Sequence, residues 1–599
     1  MHSDASGRRR DRFWQQMLLL GMLALLAVFL LYPIGLTVRG GFADDPATGQ
    51  GWTLRHLLIL WQDPILVEGF LNALRIAVLA TTMSIAIGLP LAVLSAKYTF
   101  PGKKILNAAI LVPLILPPFV GAIGMRAVLG RQGALNSLLG TDWDLLGTGS
   151  TFLGVDTRLL AIALVQALHL YPIIYLNATA ALANLDPALD EAAENLGAGP
   201  WKRFFRITLP LIRPGLFAGS TIVFIWAFTE LGTPLMFDFS AITPVQIFYG
   251  LKEVENSAEP YALTVVLLFS AVLMYLLGKA VFGGRAYAMY SKASRAGGET
   301  ALPGITGVLA TLAFAGVTFL AVLPHLGVVF TALTPPGQWY RTAIPSSFTL
   351  DHFDQALTHP DSFGAIKNSL TLSLAAVVLN AFIGIMVGYL IVRTRVKGRG
   401  LLDALCMLPL AVPGLVMAFG YVAMTLRWPF GGSLEFLGVS IPPVLDGTPL
   451  DFEVFGTDPN PFPLLIIAYA IRRLPYIVRS TVAGLEQTSG ELEEAAVNLG
   501  ASRFTAVRRV IVPLILANII AGGLLVFSFS MLEVSDSLIL AQQSKHYPIT
   551  KAIFAFTERL GDGPYIASAM GVWGMALLTV TLFGASLLLG KKLGAIFRV

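Results

Sequence analysis

Uncharged runs of about 20 residues recur from Met17 almost to the C-terminus, and a run of that length is what an α-helix needs to cross the apolar core of a bilayer. The recurrence implies an all-α polytopic membrane protein. Composition agrees: 55% of the 599 residues are apolar and 13% are charged, about half the charged share of a soluble globular chain. A soluble protein of this length would need several cores separated by polar linkers, which the sequence lacks. Cys406 is the single cysteine, so no internal disulfide and no cysteine-based zinc or iron–sulfur site can form. His, Cys and Ser/His/Asp combinations are not clustered at meaningful spacing, so no catalytic or metal-binding residue is expected and an enzyme is disfavoured. The pI of 9.1 raises nucleic acid as a partner, but the basic residues sit at the ends of apolar runs, where membrane topology accounts for them and nucleic acid is not needed.

Windows of about 20 residues predict twelve spans, at 17–38, 72–96, 105–129, 158–183, 211–235, 261–283, 304–333, 365–392, 400–426, 462–484, 514–541 and 564–590. An even number places both termini on one side. The basic clusters Arg8, Arg9, Arg10, Arg12 and Lys591, Lys592, Arg598 put that side in the cytoplasm, and Lys and Arg are enriched in the alternate loops this topology makes cytoplasmic. The basic N-terminal start resembles a signal peptide, but its apolar stretch is too long and no small-x-small site follows, so an uncleaved first helix is expected.

The chain is one unit written twice. EAAENLGAGPWKRFFRITLP from Glu191 matches EAAVNLGASRFTAVRRVIVP from Glu494, an offset of 303 that also maps Pro172 on Pro475 and Glu230 on Glu533. An offset of 296 maps Asn72 on Asn368, Pro113 on Pro409, Pro117 on Pro413 and Gly124 on Gly420. The seven-residue difference falls in the Pro-, Gly- and Asp-rich external stretch 427–461. The expected division is a first half over 1–283 containing a loop at 184–210, a polar linker over 284–303, and a second half over 304–599 containing a loop at 485–513. Two tandem six-helix repeats of the same orientation are related by a pseudo-twofold axis along the membrane normal, with one pathway between them.

The two duplicated loops are cytoplasmic and helical in character. In each, small residues permit close approach of another backbone, a glycine permits a sharp turn, basic residues follow, and a proline is expected to stop the segment, at Pro210 and Pro513. Each reads as a short helix lying across the membrane face and offered to a cytoplasmic partner.

These loops resemble the signature of the integral-membrane permeases of binding-protein-dependent ABC importers with the type I fold: EAA, three residues, Gly, nine residues, Ile, one residue, Leu-Pro. The first copy supplies Glu191, Ala192, Ala193, Gly197, Ile207, Leu209 and Pro210; the second supplies Glu494, Ala495, Ala496, Gly500 and Pro513, with Val510 and Val512 for Ile and Leu. The fused two-half arrangement resembles the ferric-iron and thiamine permease branch. The resemblance implies that each loop couples to one of two ATPase subunits, that a separate extracytoplasmic binding protein delivers substrate, and that the chain lies in a bacterial cytoplasmic (inner) membrane among its lipids. It implies ferric iron as first choice of substrate, with thiamine, polyamine and 2-aminoethylphosphonate as alternatives. No Gly-x-x-x-x-Gly-Lys-Ser/Thr loop occurs, so ATP and Mg belong to the partner ATPase and this chain is expected to bind no cofactor. The competing class is an ion-gradient-driven secondary transporter, which can also use parallel halves but has no use for the paired loops.

Ionisable residues within spans are functional candidates by default. Glu230 and Glu533 follow the loops by a length of helix that would carry them roughly 28 Å toward the outer mouth. Asp536 shares a helical face with Glu533, and its counterpart is Thr233. Arg472 and Arg473 lie in the tenth span, Arg472 aligning with His169. Two readings stay open: Glu230, Thr233, Glu533, Asp536 and Arg472 line a gate or cation passage, or the charges neutralise one another in an ion-pair network.

Overall fold

The computed structural model describes residues 2–45, 50–115, 117–152, 154–253, 257–282, 299–436, 439–448, 451, 453–456 and 459–589. Among them eight helices are long and apolar enough to cross a membrane, and three further bent helix pairs qualify when each is taken as one span. The predicted tenth span is the helix Phe462–Glu486, whose Arg472, Arg473 and Arg479 take it out of that apolar class.

Each half has the same centre. In the first, Pro64–Lys97, Thr157–Ala183 and Leu209–Phe228 pack on one another; in the second, Pro360–Arg393, Phe462–Glu486 and Leu516–Met531 do so. Small residues set the spacing, as they do where helices pack without a hydrophobic drive from water. A Cβ on Gly88 would lie 3.1 Å from Cβ of Ile174, and one on its equivalent Gly384 would lie 3.0 Å from Ile477. Gly219 meets Asn177 and Gly522 meets Ser480 in the same paired fashion.

The first helix of each half crosses to the other half. Tyr32–Phe42 packs on Gly414–Thr425, and Gly304–Leu333 packs on Pro118–Leu129. The equivalent glycines admit it: a Cβ on Gly420 would lie 2.6 Å from the carbonyl oxygen of Pro33, and one on Gly124 would overlap the carbonyl oxygen of Pro324. Proline also removes the N–H that would engage the carbonyl four residues back, and for Pro33 that carbonyl, of Phe29, accepts from the Tyr421 hydroxyl at 2.9 Å.

Four predicted spans are not continuous. Lys103–Leu114 and Pro118–Leu139 meet at 94°, and Arg399–Leu410 and Gly414–Thr425 at 104°. Pro117 and Pro413 leave the helix there with ψ of 129° and 135°, and at Pro117 the following Pro118 disfavours α conformation. The fifth span stops at Phe228 and the eleventh at Met531, each followed by a three-residue break and a short helix, Gly232–Met236 or Ser535–Leu540. Glu230 and Glu533 therefore sit in the breaks, off the helices on which the sequence places them.

Of the predicted linker 284–303 only 299–303 is described. Its end is tied to the first half, where Thr300–Ala301 pairs in parallel with Tyr98–Thr99 and Glu299 bonds Lys103 at 2.8 Å. Lys591, Lys592 and Arg598 lie outside the described residues.

Candidate functional site

The four breaks converge on one cavity of about 230 Å³ between the halves. Pro117 and Pro118, Thr229 and Glu230, Pro413 and Gly414, and Glu533 and Val534 all reach its wall. Non-helical backbone at membrane depth is tolerated where it lines a cavity, because water or cargo can satisfy the peptide groups that lipid cannot.

The second-half wall is an ion-pair network. Arg472 Nη1 lies 3.2 Å from Glu533 Oε1 and 3.7 Å from Asp536 Oδ2, and Arg473 pairs with the other Glu533 oxygen. Arg473 also donates to the carbonyl of Phe529 at 3.1 Å and lies over its ring, which stacks on Tyr476. The Glu533 and Asp536 side chains are 3% and 1% exposed, too dry to stay charged without these partners. Gly414 is required beside them, since any Cβ there would overlap the Arg472 guanidinium.

The first-half wall is built differently. Glu230 Oε1 accepts from the backbone N–H of Gly232 at 3.2 Å and of Thr233 at 3.3 Å, and from the Thr233 hydroxyl at 3.5 Å, so it caps the short helix that follows. No Arg or Lys among the described residues comes within ion-pair distance of it. His169, the counterpart of Arg472, hydrogen-bonds Pro113 O through Nδ1 at 2.7 Å; a carbonyl only accepts, so the proton is on Nδ1.

The structure thus brings Glu230, Glu533 and Arg472 to the cavity, while Thr233 and Asp536, both fully buried, stand behind its lining. Thr233 serves the Glu230 cap and Asp536 serves Arg472. Sequence reasoning missed Gln166, which lines the cavity at 2% exposure. A carboxamide within the apolar run 158–183, which also holds Asn177, was its only signal.

The duplicated loops form a second matched pair of features. Glu191, Ala192 and Ala193 lie in the helix Pro187–Asn195, started by an Asp186 carboxylate that accepts from Ala188 N–H at 3.0 Å; Glu494, Ala495 and Ala496 lie in Glu491–Asn498. Gly197 and Gly500 have φ of +78° and +92°, a conformation costly for any residue with a Cβ. Beyond them the chain does not stop at Pro210. Pro200–Phe228 runs as one helix, because a π-helical turn at Phe204–Thr208 loosens the hydrogen-bond register where the proline lacks its N–H. In the second loop a π-turn at Val507–Ile511 precedes Pro513 and the helix bends by 74° to enter Leu516–Met531.

Both loops expose the same apolar side chains. Leu196 and Leu499 are 88% and 89% exposed, Trp201 and Phe504 are 76% and 75%, and Leu189 and Leu492 are 48% and 46%. Large apolar groups held open at equivalent positions mark an interaction surface.

Residues 88–285 and 380–590 each match the family described as the binding-protein-dependent transport system inner membrane component. The chain belongs to that family. It is 25% identical over 587 residues to the ferric transport system permease protein FbpB of Actinobacillus pleuropneumoniae, across 94% of this chain and 77% of that protein. To the Fe(3+)-transport system permease protein FbpB 2 of Haemophilus influenzae it is 24% identical over 596 residues, across 98% and 99%. The molybdenum transport system permease protein ModB of Escherichia coli is 32% identical over 170 residues, 28% of this chain and 71% of ModB. This permease is accordingly a multi-pass inner-membrane transport subunit whose family works with ATPase and substrate-binding partners.

Proposed function

We propose that this permease imports ferric iron, taking it from a separate extracytoplasmic binding protein and passing it through the cavity between its halves. Two ATPase subunits seat on the loops 184–210 and 485–513, and ATP with its Mg is held and hydrolysed on those partner chains alone. Both termini lie in the cytoplasm, and the halves 1–283 and 304–599 act as the two moving bodies.

The observation that carries this reading is the matched exposure of Leu189, Leu196 and Trp201 with Leu492, Leu499 and Phe504. Two such surfaces suit two equivalent partners. The geometry also supplies a lever, since the helix that starts at Pro200 beside Trp201 ends at Phe228, two residues before Glu230. Movement at the loop therefore reaches the cavity wall along about 43 Å of helix. For cargo, two relatives that align with both halves are named for ferric transport, which favours ferric iron. Replacing Leu196 and Leu499 together by Asp tests the seat: the variant should insert normally and lose its ATPase on co-purification, and retention of the ATPase would count against it.

A further inference from the structure

The two walls of the cavity are unequal. Glu533 is shared by Arg472 and Arg473, but at the equivalent positions the first half has His169 and Leu170, so Glu230 faces the cavity with no guanidinium bound to it. Its Oε1 is held by the cap, and its Oε2 accepts no hydrogen bond from any described residue. On the same wall Gln166 is 2% exposed, yet among the described residues neither its Oε1 nor its Nε2 has a hydrogen-bond partner. Its second-half equivalent, Tyr469, has its hydroxyl satisfied by Ser537 at 2.6 Å. A buried amide left unpaired at the cavity wall calls for a partner from within the cavity.

We propose that Glu230 and Gln166 form the cargo contact of the pathway, a pair of oxygen donors that selects a hard, highly charged cation with part of its water shell. Carboxylate and amide oxygens are the donors such cations prefer, and 230 Å³ holds an ion with several waters at roughly 30 Å³ each. The second-half wall is already neutralised, so it orients and excludes without holding the ion. One carboxylate and one amide give a weak contact, as conduction requires. The inference deepens the ferric-iron reading and rests on it for the identity of the natural cargo.

Glu230→Gln keeps an oxygen for the Gly232 and Thr233 N–H groups and so preserves the fold while removing the charge. The purified full-length chain is titrated with Tb³⁺, a hard trivalent probe, exciting tryptophan; Trp226 lines the same cavity and can sensitise the emission. Wild type should show saturable emission, Glu230→Gln should weaken the apparent affinity about tenfold and Gln166→Leu about threefold, while the surface control Asp446→Asn titrates as wild type. In the assembled importer Glu230→Gln should lower iron uptake about tenfold with melting temperature unchanged. Absence of saturable emission from wild type, or equal titration of wild type and Glu230→Gln, overturns the proposal. If wild type binds Tb³⁺ through Glu230 but the importer moves no ferric iron, it is the cargo reading that fails.

Discussion

Arg473, on the helix Phe462–Glu486, and Glu533, 60 residues away in the break after Met531, form a buried ion pair at the wall of the cavity, with Arg472 completing it at 3.2 Å. Removing the acid leaves Arg473 without a carboxylate partner and Arg472 with Asp536 alone. Glu533→Gln should destabilise the protein by about 3 to 5 kcal/mol and reduce its yield in the membrane, and the double variant Glu533→Gln, Arg473→Gln should recover part of that loss. Yield and melting temperature of the single and double variants check this; a stable Glu533→Gln would contradict the network.

Gly420 has no room for a side chain because the Pro33 carbonyl of the crossing helix occupies the space. Gly420→Val should cost roughly 1 to 3 kcal/mol or more and lower the amount of assembled protein. Gly316→Ala, in the other crossing helix with nothing within 4 Å of its added methyl, should be silent. Membrane yield of the two variants separates local packing from general intolerance.

Gly197 and Gly500 have open space around a would-be Cβ, so within this chain only their positive φ demands glycine. Replacement by Ala should cost about 1 kcal/mol of local strain, and replacement by Leu should additionally block a seated partner. ATPase co-purification should therefore survive Ala better than Leu at both positions. Equal behaviour of the two substitutions would mean that nothing docks closely there.

Lys551, in the Ile549–Thr557 helix between the last two spans, is 7% exposed, donates to the carbonyl of Leu538 at 3.0 Å and is ringed by Phe248, Tyr547 and Phe554. Burial pushes its pKa down to about 8. Below that value the ammonium is charged in both states and its burial opposes folding; between about 8 and 10.5 the unfolded chain binds the proton more tightly, so stability rises with pH. The melting temperature should rise from pH 7 to pH 9.5 by more in wild type than in Lys551→Met. An identical pH response would show that Lys551 does not titrate in this window.

The membrane class, the duplication and the loops were legible because each rests on a pattern repeated along the chain: apolar length, a fixed offset, and a spaced motif from Glu191 and from Glu494. The breaks after Phe228 and Met531 were not, since the runs through Glu230 and Glu533 stay apolar enough to read as uninterrupted helix. What ends them is tertiary: Glu230 turns back to cap Gly232 and Thr233, and Glu533 is drawn to Arg472 and Arg473 on another helix. Pairing of that kind has no sequence period, so the buried charges could be found from the chain but not matched to one another. Gln166 escaped for the same reason.

The most direct test is uptake of radiolabelled ferric iron by proteoliposomes holding this permease, its ATPase subunits and an iron-loaded binding protein. Uptake should require ATP, the ATPase and the binding protein together, and should cease in the Leu196→Asp, Leu499→Asp variant. Uptake by the permease alone on an imposed proton or sodium gradient would contradict the account.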